Sequence, residues 1–175
     1  MRVIAGEFRS RRLKSIPGAA TRPTSDRLRE TLFDILQAHI EGARFLDAYA
    51  GTGAVGIEAL SRGAAHAIFL ERGRNALEAI RENLDSLELG PRATVVAGPV
   101  LLALNRHDAD IVFLDPPYDQ EREYSAALQL LAEHPPGLVV VQHSARLELA
   151  EEYGAMGRTR TVRQGDNALS FYAPR

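Results

Sequence analysis

From residue 44 to residue 142, strand-like and helix-like segments alternate without interruption. That pattern restricts the chain to a parallel sheet with helices packed against it. Strands are predicted at 44–47, 66–71, 93–97, 110–115 and 137–142. Helical spacing fills the gaps. One helix covers 53–62 and closes at Gly63, and a second carries Leu77, Ile80, Leu84 and Leu87 on one face and stops at Gly90-Pro91. A short helix lies near 100–104, and another covers 121–133 and ends at Pro135-Pro136. Ile111-Val112-Phe113-Leu114 has no polar alternate, as expected of a strand buried on both faces.

Ahead of the first strand, Thr24 or Ser25 can cap a helix with Asp26 in its first turn. Leu28, Leu32, Ile35, Leu36, His39 and Ile40 then recur at helical spacing. Two more strands are predicted at 157–164 and 168–173, joined by a hairpin turn through Gly165-Asp166-Asn167. Residues 2–5 and 11–16 read as a short β-hairpin or arm ended by Pro17-Gly18. The expectation is an α/β domain of about seven strands over 24–175, with a basic arm over 1–23.

Composition narrows the function classes. The 175 residues are 45% hydrophobic and 25% charged, which excludes a disordered or fibrous chain and suffices for one full core. No apolar run exceeds four or five residues, so no membrane span is expected. The N-terminus lacks a charged-then-apolar signal pattern, and the expected location is cytoplasmic. Cysteine is absent, which removes disulfides, thiolate metal sites and cysteine nucleophiles together. His66, His107, His134 and His143 lack metal-ligand spacing, so no metal is expected.

The net charge of −2 hides an asymmetry. Residues 1–30 hold eight basic side chains against three acids, and the remainder is correspondingly acidic. A basic arm on an acidic body suits a polyanionic partner held at one end. Arg9, Arg11, Arg12 and Lys14 lie within six residues and are the expected phosphate contacts. Arg22 is placed to reach a cofactor or a substrate phosphate, or else to pair with Asp26 at the helix entry.

Two loops carry chemistry. The first is Asp47-Ala48-Tyr49-Ala50-Gly51-Thr52-Gly53-Ala54-Val55-Gly56, a G-x-G-x-x-G turn between a strand and a helix. Its glycines permit a tight turn, close approach of a ligand, and close helix–sheet packing. Dinucleotides and S-adenosylmethionine both use such a loop, and spacing alone does not separate them. Asp47, four residues before the first glycine, suits an ammonium or a hydroxyl and would repel a pyrophosphate. A loop-capping aspartate is the plainer reading of the same residue. Glu71 ends the second strand, where an acid can accept both hydroxyls of a ribose, or simply be a solvated strand-end charge.

The second loop is Asp115-Pro116-Pro117-Tyr118, after the apolar fourth strand. Two prolines fix φ and remove two backbone donors, so the turn leaves the sheet with its carbonyls expected free to accept hydrogen bonds. An acceptor carboxylate beside an aromatic face suits a planar base bearing an exocyclic amino group. A rigid turn with a half-buried tyrosine would show the same string.

Together these features resemble class I S-adenosylmethionine-dependent methyltransferases that act on amino groups. Arg2-Val3-Ile4-Ala5-Gly6, the segment Thr21-Arg22-Pro23-Thr24-Ser25-Asp26-Arg27-Leu28-Arg29-Glu30, Gly56-Ile57-Glu58-Ala59-Leu60-Ser61-Arg62-Gly63-Ala64 and Leu114-Asp115-Pro116-Pro117-Tyr118 are similar to the RsmD-type 16S ribosomal RNA guanine-N2 methyltransferases. The resemblance runs from residue 2 to about residue 142. It implies a Rossmann-like fold with a seven-stranded, mostly parallel sheet and helices on both faces. It implies S-adenosylmethionine as cofactor, 16S rRNA or the small ribosomal subunit as partner, and guanine 966 as target; a monomer is expected, though nothing in the sequence fixes the oligomeric state. The expected cofactor-binding set is Asp47, Ala48, Gly51, Gly53, Glu71, Arg72 and Asp115. Asp115, Pro116 and Tyr118 are the expected catalytic residues, with Pro117, Tyr118 and the basic arm on the substrate.

The chain departs from the family's pattern at two places. Ala97-Gly98-Pro99 follows the third strand, where the family usually has a polar or acidic residue for the adenine amine. Gln142-His143 ends the fifth strand, where an acid commonly precedes the histidine. Adenine-N6 methylation of DNA or RNA fits the D-P-P-Y loop as well, and a non-catalytic RNA- or nucleotide-binding domain is the reading from another class. Hydride transfer fits poorly, because no second domain and no acid–base pair is evident.

Overall fold

A computed structural model describes residues 1–18 and 24–175. Arg22 and the rest of 19–23 lie outside the described residues. The chain runs α1 (Asp26–Ile40), β1 (Arg44–Ala48), α2 (Ala54–Ser61), β2 (His66–Glu71), α3 (Arg74–Ser86), β3 (Ala93–Ala97), α4 (Val100–Ala103), β4 (Ile111–Leu114), α5 (Glu121–Glu133), β5 (Leu138–Ser144), β6 (Glu152–Tyr153), β7 (Met156–Gln164) and β8 (Asn167–Pro174). Ser25 caps α1, its hydroxyl accepting the Leu28 N–H at 3.1 Å.

The strands form one sheet in the order β3-β2-β1-β4-β5-β8-β7-β6. β1 to β5 are parallel, and β8, β7 and β6 extend the sheet antiparallel. Among the described residues the sheet thus has eight strands, one more than the approximate seven expected. The extra one, β6, has two residues, too few for any alternation to register in the sequence. The N-terminal arm carries one antiparallel bridge, Arg2 to Arg12, rather than two strands.

β4 shows how the layers arise. Ile111 and Phe113 face α1, α2 and α3, together with Phe45 and Phe69. Val112 and Leu114 face α4 and α5, together with Leu46, Leu70 and Tyr124. The helices after β1 and β2 thus cover one face, and those after β3 and β4 cover the other. Because β1 and β4 are neighbours, the chain leaves their carboxyl ends toward opposite faces and opens a crevice between them. This is the topological switch point at which open α/β sheets hold ligands.

The arm is seated on this core. Val3 and Leu13 are buried among the α1–α3 side chains. Glu58 of α2, itself fully buried, accepts the Ile4 N–H at 2.8 Å and the Ala5 N–H at 3.1 Å. It also meets Arg62 at 3.2 Å and lies 3.9 Å from the buried Arg29 of α1. Arg29 in turn donates to the Arg2 carbonyl at 2.7 Å. One carboxylate between two guanidiniums ties the arm, α1 and α2 together.

Candidate active site

The glycine loop follows β1 and bends through left-handed backbone at Tyr49, Gly51 and Gly53 (φ 61, 58 and 81°). Gly51 faces open space, since a side chain there would meet nothing within 4 Å. Gly56 does the opposite. A Cβ there would fall 2.4 Å from the Phe69 ring, so its role is close packing of α2 on the sheet.

Asp47 points into the start of α2, where its Oδ2 accepts the Gly56 N–H at 2.9 Å. Burial pushes its carboxyl well above the usual range, the Gly56 N–H opposes that rise, and the nearby Asp115 and Glu71 add to it. Asp47 therefore caps the loop while also lining the crevice.

Glu71 closes the other side of the loop. One oxygen accepts the Gly51 N–H at 2.8 Å, and the other accepts the Arg72 and Gly73 N–H groups, both at 2.8 Å. A carboxylate has about four lone-pair positions, so acceptor capacity remains for one more donor.

Across the crevice, the Asp115 N–H reaches the Ala48 carbonyl at 3.4 Å, anchoring the D-P-P-Y turn to the end of β1. Burial raises the Asp115 carboxyl to about 7, and a hydrogen bond from Thr24 acts against that rise. The carbonyls of the turn are not free. Pro116 accepts the Tyr124 hydroxyl at 3.1 Å, and Pro117 accepts the Gln120 N–H at 3.0 Å. The reason is that α5 starts directly after the turn and brings Tyr124 back against it. Each carbonyl keeps a second lone pair. Tyr118 is partly exposed, and its hydroxyl donates to Asn167 Oδ1 at 2.5 Å.

Tyr49 spans the two halves, donating to Glu123 of α5 at 2.6 Å. Burial and the Glu123 carboxylate push its hydroxyl well above the ordinary range, so it stays a donor.

These groups line one crevice of about 700 Å³. It brings together Asp47, Gly51, Glu71, Arg72, Asp115, Pro116, Pro117 and Tyr118 of the expected set. Ala48 and Gly53 are absent from its lining. Ala48 turns its side chain into the α4–α5 core, and Gly53 packs on Ile80 and Phe69 as the α2 N-cap. Arg9, Arg11, Arg12 and Lys14 stand outside it as well. Arg9, Arg11 and Arg12 are exposed, Arg11 donates to the Ser86 carbonyl at 3.0 Å, and the Lys14 ammonium pairs with Glu82. Among the described arm residues, Met1, Ser15 and Ile16 line the crevice.

Where the sequence offers no polar group for an adenine, Pro99, Val100 and Leu101 form an apolar wall. Thr24, Tyr49, Glu123, Tyr124 and Asn167 are the site residues that sequence reading passed over. Among the described residues no cluster of His, Asp or Glu is placed to hold a metal, and no helix is long and apolar enough to cross a membrane.

The family model described as Conserved hypothetical protein 95 matches residues 1–173. The chain belongs to that family, the RsmD family. A family relative in Bacillus subtilis (strain 168), YlbH, named as a candidate rRNA methyltransferase, is 37% identical over the full length of both chains. Ribosomal RNA small subunit methyltransferase D of Escherichia coli (strain K12) is 41% identical over 119 residues. That match takes in 67% of this chain and 60% of the relative. The solved structure of yhhF from Escherichia coli, described as a candidate methyltransferase, superposes with a TM-score of 0.87 at 34% identity. It covers 100% of this chain and 98% of that one. The family's Rossmann-like architecture is thus this chain's architecture.

Proposed function

We propose that this chain is an RNA methyltransferase that moves the methyl group of S-adenosylmethionine to the exocyclic N2 of a guanine in 16S rRNA. One observation carries the reading: the glycine loop with Glu71, and the D-P-P-Y turn, face each other across a single crevice. The names of the family relatives support ribosomal RNA as the substrate. Guanine, its N2 and position 966 rest on the resemblance in sequence.

The residues present fit the cofactor. About 700 Å³ lies within the range of small-molecule sites. The remaining acceptor capacity of Glu71 suits a ribose hydroxyl, Pro99-Val100-Leu101 suits a flat purine, and the carboxyl of Asp47 suits an ammonium. Arg72 stands at the rim. Bound there, S-adenosylmethionine supplies an activated methyl on a sulfonium, so that transfer forms an N–C bond and returns the S–C electron pair to sulfur.

The chain's part is positioning and electrostatics. A guanine N2 is a weak nucleophile because its lone pair is shared with the ring. Asp115 accepts one N–H, and the second lone pair of Pro116 accepts the other, which aims the nitrogen lone pair into the crevice. Tyr118 offers its face to the base once it has left its stack, an extrusion costing a few kcal/mol. The proton released from the methylated amine passes to Asp115 and then to solvent.

The test offers purified protein and labelled cofactor three acceptors: naked DNA, 16S RNA and assembled small subunits. Nucleosides are then separated by mass spectrometry. Label in N2-methylguanosine is expected. Label in N6-methyladenosine would move the reading to the alternative acceptor, and no label with any of the three would overturn it.

A further inference from the structure

The D-P-P-Y turn touches the β7–β8 hairpin. The Tyr118 hydroxyl donates to Asn167 Oδ1 at 2.5 Å, and Asn167 opens β8 between Ser144 of β5 and Gln164 of β7. The Ala145 N–H donates to the Asp166 carbonyl at 2.8 Å, so the chain leaving β5 runs against the hairpin turn. The residues that flank Asn167 on both neighbouring strands therefore stand at the Tyr118 end of the crevice.

Two of them are arginines. Arg163 precedes Gln164 on β7, and Arg146 lies two residues past Ser144. Both are exposed, and among the described residues neither guanidinium has a hydrogen bond or an ion pair. Register sets the direction of Arg163. Val162 and Leu169 are paired and pack with the α1–α3 core, and Gln164 donates to Thr31 of α1 at 3.3 Å. Arg163 and its partner Ala168 alternate with these residues, so they face the other side of the sheet, which α5 covers after leaving the D-P-P-Y turn. Arg158, further back on β7, is already engaged with Glu151 at 3.6 Å and the Leu149 carbonyl at 3.1 Å. Asp166 at the exposed hairpin tip pairs with neither free arginine.

A base lying against Tyr118 must carry its ribose and phosphates out of the crevice. Further inside, that backbone would meet the carboxylates of Glu71 and Glu123, which repel phosphate. Past Tyr118 it meets Arg146 and Arg163 instead, and arginine's planar fork suits phosphate oxygens. We propose that the hairpin end carrying Arg146 and Arg163 is a second RNA contact, separate from the N-terminal arm, which holds the phosphates beside the extruded nucleotide. RNA as the polyanion rests on the functional reading above, whereas the placement of the two arginines does not.

The experiment measures affinity of the full chain for 16S RNA across a salt series. Replacing Arg146 and Arg163 together by Gln should lower the slope of log affinity against log salt by about 1.4, the loss of two phosphate contacts on single-stranded RNA. Replacing both by Lys keeps the charge and should keep the natural slope. Arg106→Gln alters an exposed arginine ahead of β4, at the end of the sheet away from the crevice, and should also keep it. Calorimetry should give the glutamine double variant the natural affinity for S-adenosylmethionine, and in methyl transfer its KM for RNA should rise with kcat nearly constant. A natural slope in the glutamine double variant would overturn the proposal. An equal loss of slope in Arg106→Gln would overturn it too, since any lost charge would then have the same effect. A protein that methylates no nucleic acid would sink the functional reading, while the salt series still decides the role of the hairpin.

Discussion

The buried hydroxyl of Tyr124 donates to the Pro116 carbonyl at 3.1 Å, fixing the direction of the turn that carries Asp115 and Tyr118. Tyr124→Phe keeps the ring in the core and removes that restraint. Losing one hydrogen bond of this kind costs about 1 kcal/mol. A drop in single-turnover methyl transfer of about 3- to 10-fold is expected, with little change in cofactor affinity by calorimetry. An unaltered rate would mean that the turn holds its own shape.

Glu71 gathers three backbone N–H groups from the glycine loop and the start of α3. Glu71→Ala deletes the loop's anchor together with the acceptor assigned to the ribose. Hydrogen bonds to a charged group are worth roughly 1.5–3 kcal/mol, so S-adenosylmethionine affinity should fall by about 10- to 100-fold in a calorimetric titration. Equal affinity in the variant would place the nucleoside elsewhere.

Glu58 is the buried carboxylate between Arg29 and Arg62, and it caps two N–H groups of the arm. Glu58→Ala leaves Arg29 charged in the core, a loss of about 3–5 kcal/mol for a broken buried pair. Urea denaturation should show that loss. Proteolysis should then cut first within residues 2–12, because the arm loses two of its anchors. A loss below about 1 kcal/mol would show that Val3 and Leu13 seat the arm alone.

Arg9 and Arg12 are exposed and make no side-chain bond among the described residues, whereas Lys14 is engaged with Glu82. Replacing Arg9 or Arg12 by Ala should lower the slope of log affinity for 16S RNA against log salt by up to about one each. Lys14→Ala should change it less. Slopes equal to that of the natural chain in all three variants would remove the arm from the RNA interface.

The parts of the site that could be read from sequence are those contained in one stretch of chain. The glycine loop, the acid ending β2 and the D-P-P-Y string each announce themselves within ten residues, and β2, β3 and α5 fall where hydrophobic period places them. What stayed hidden depends on contacts between distant residues. Asn167 reaches Tyr118 only because β8 lies beside β5, and Thr24 reaches Gln142 only because α1 begins above the end of β5. The diproline carbonyls looked free because proline lacks a donor. Nothing in the local sequence showed that Tyr124 would return to one of them. Charge counting likewise put Arg29 into the basic balance of residues 1–30, although its side chain is fully buried beside Glu58.

The most direct measurement pairs calorimetry with nucleoside mass spectrometry on Asp115→Ala. The substrate is 16S RNA from a strain lacking this gene, with labelled S-adenosylmethionine as donor. The natural chain should yield labelled N2-methylguanosine, while Asp115→Ala binds the cofactor almost as tightly and yields none. Asp115→Ala turning over at the natural rate would contradict the account.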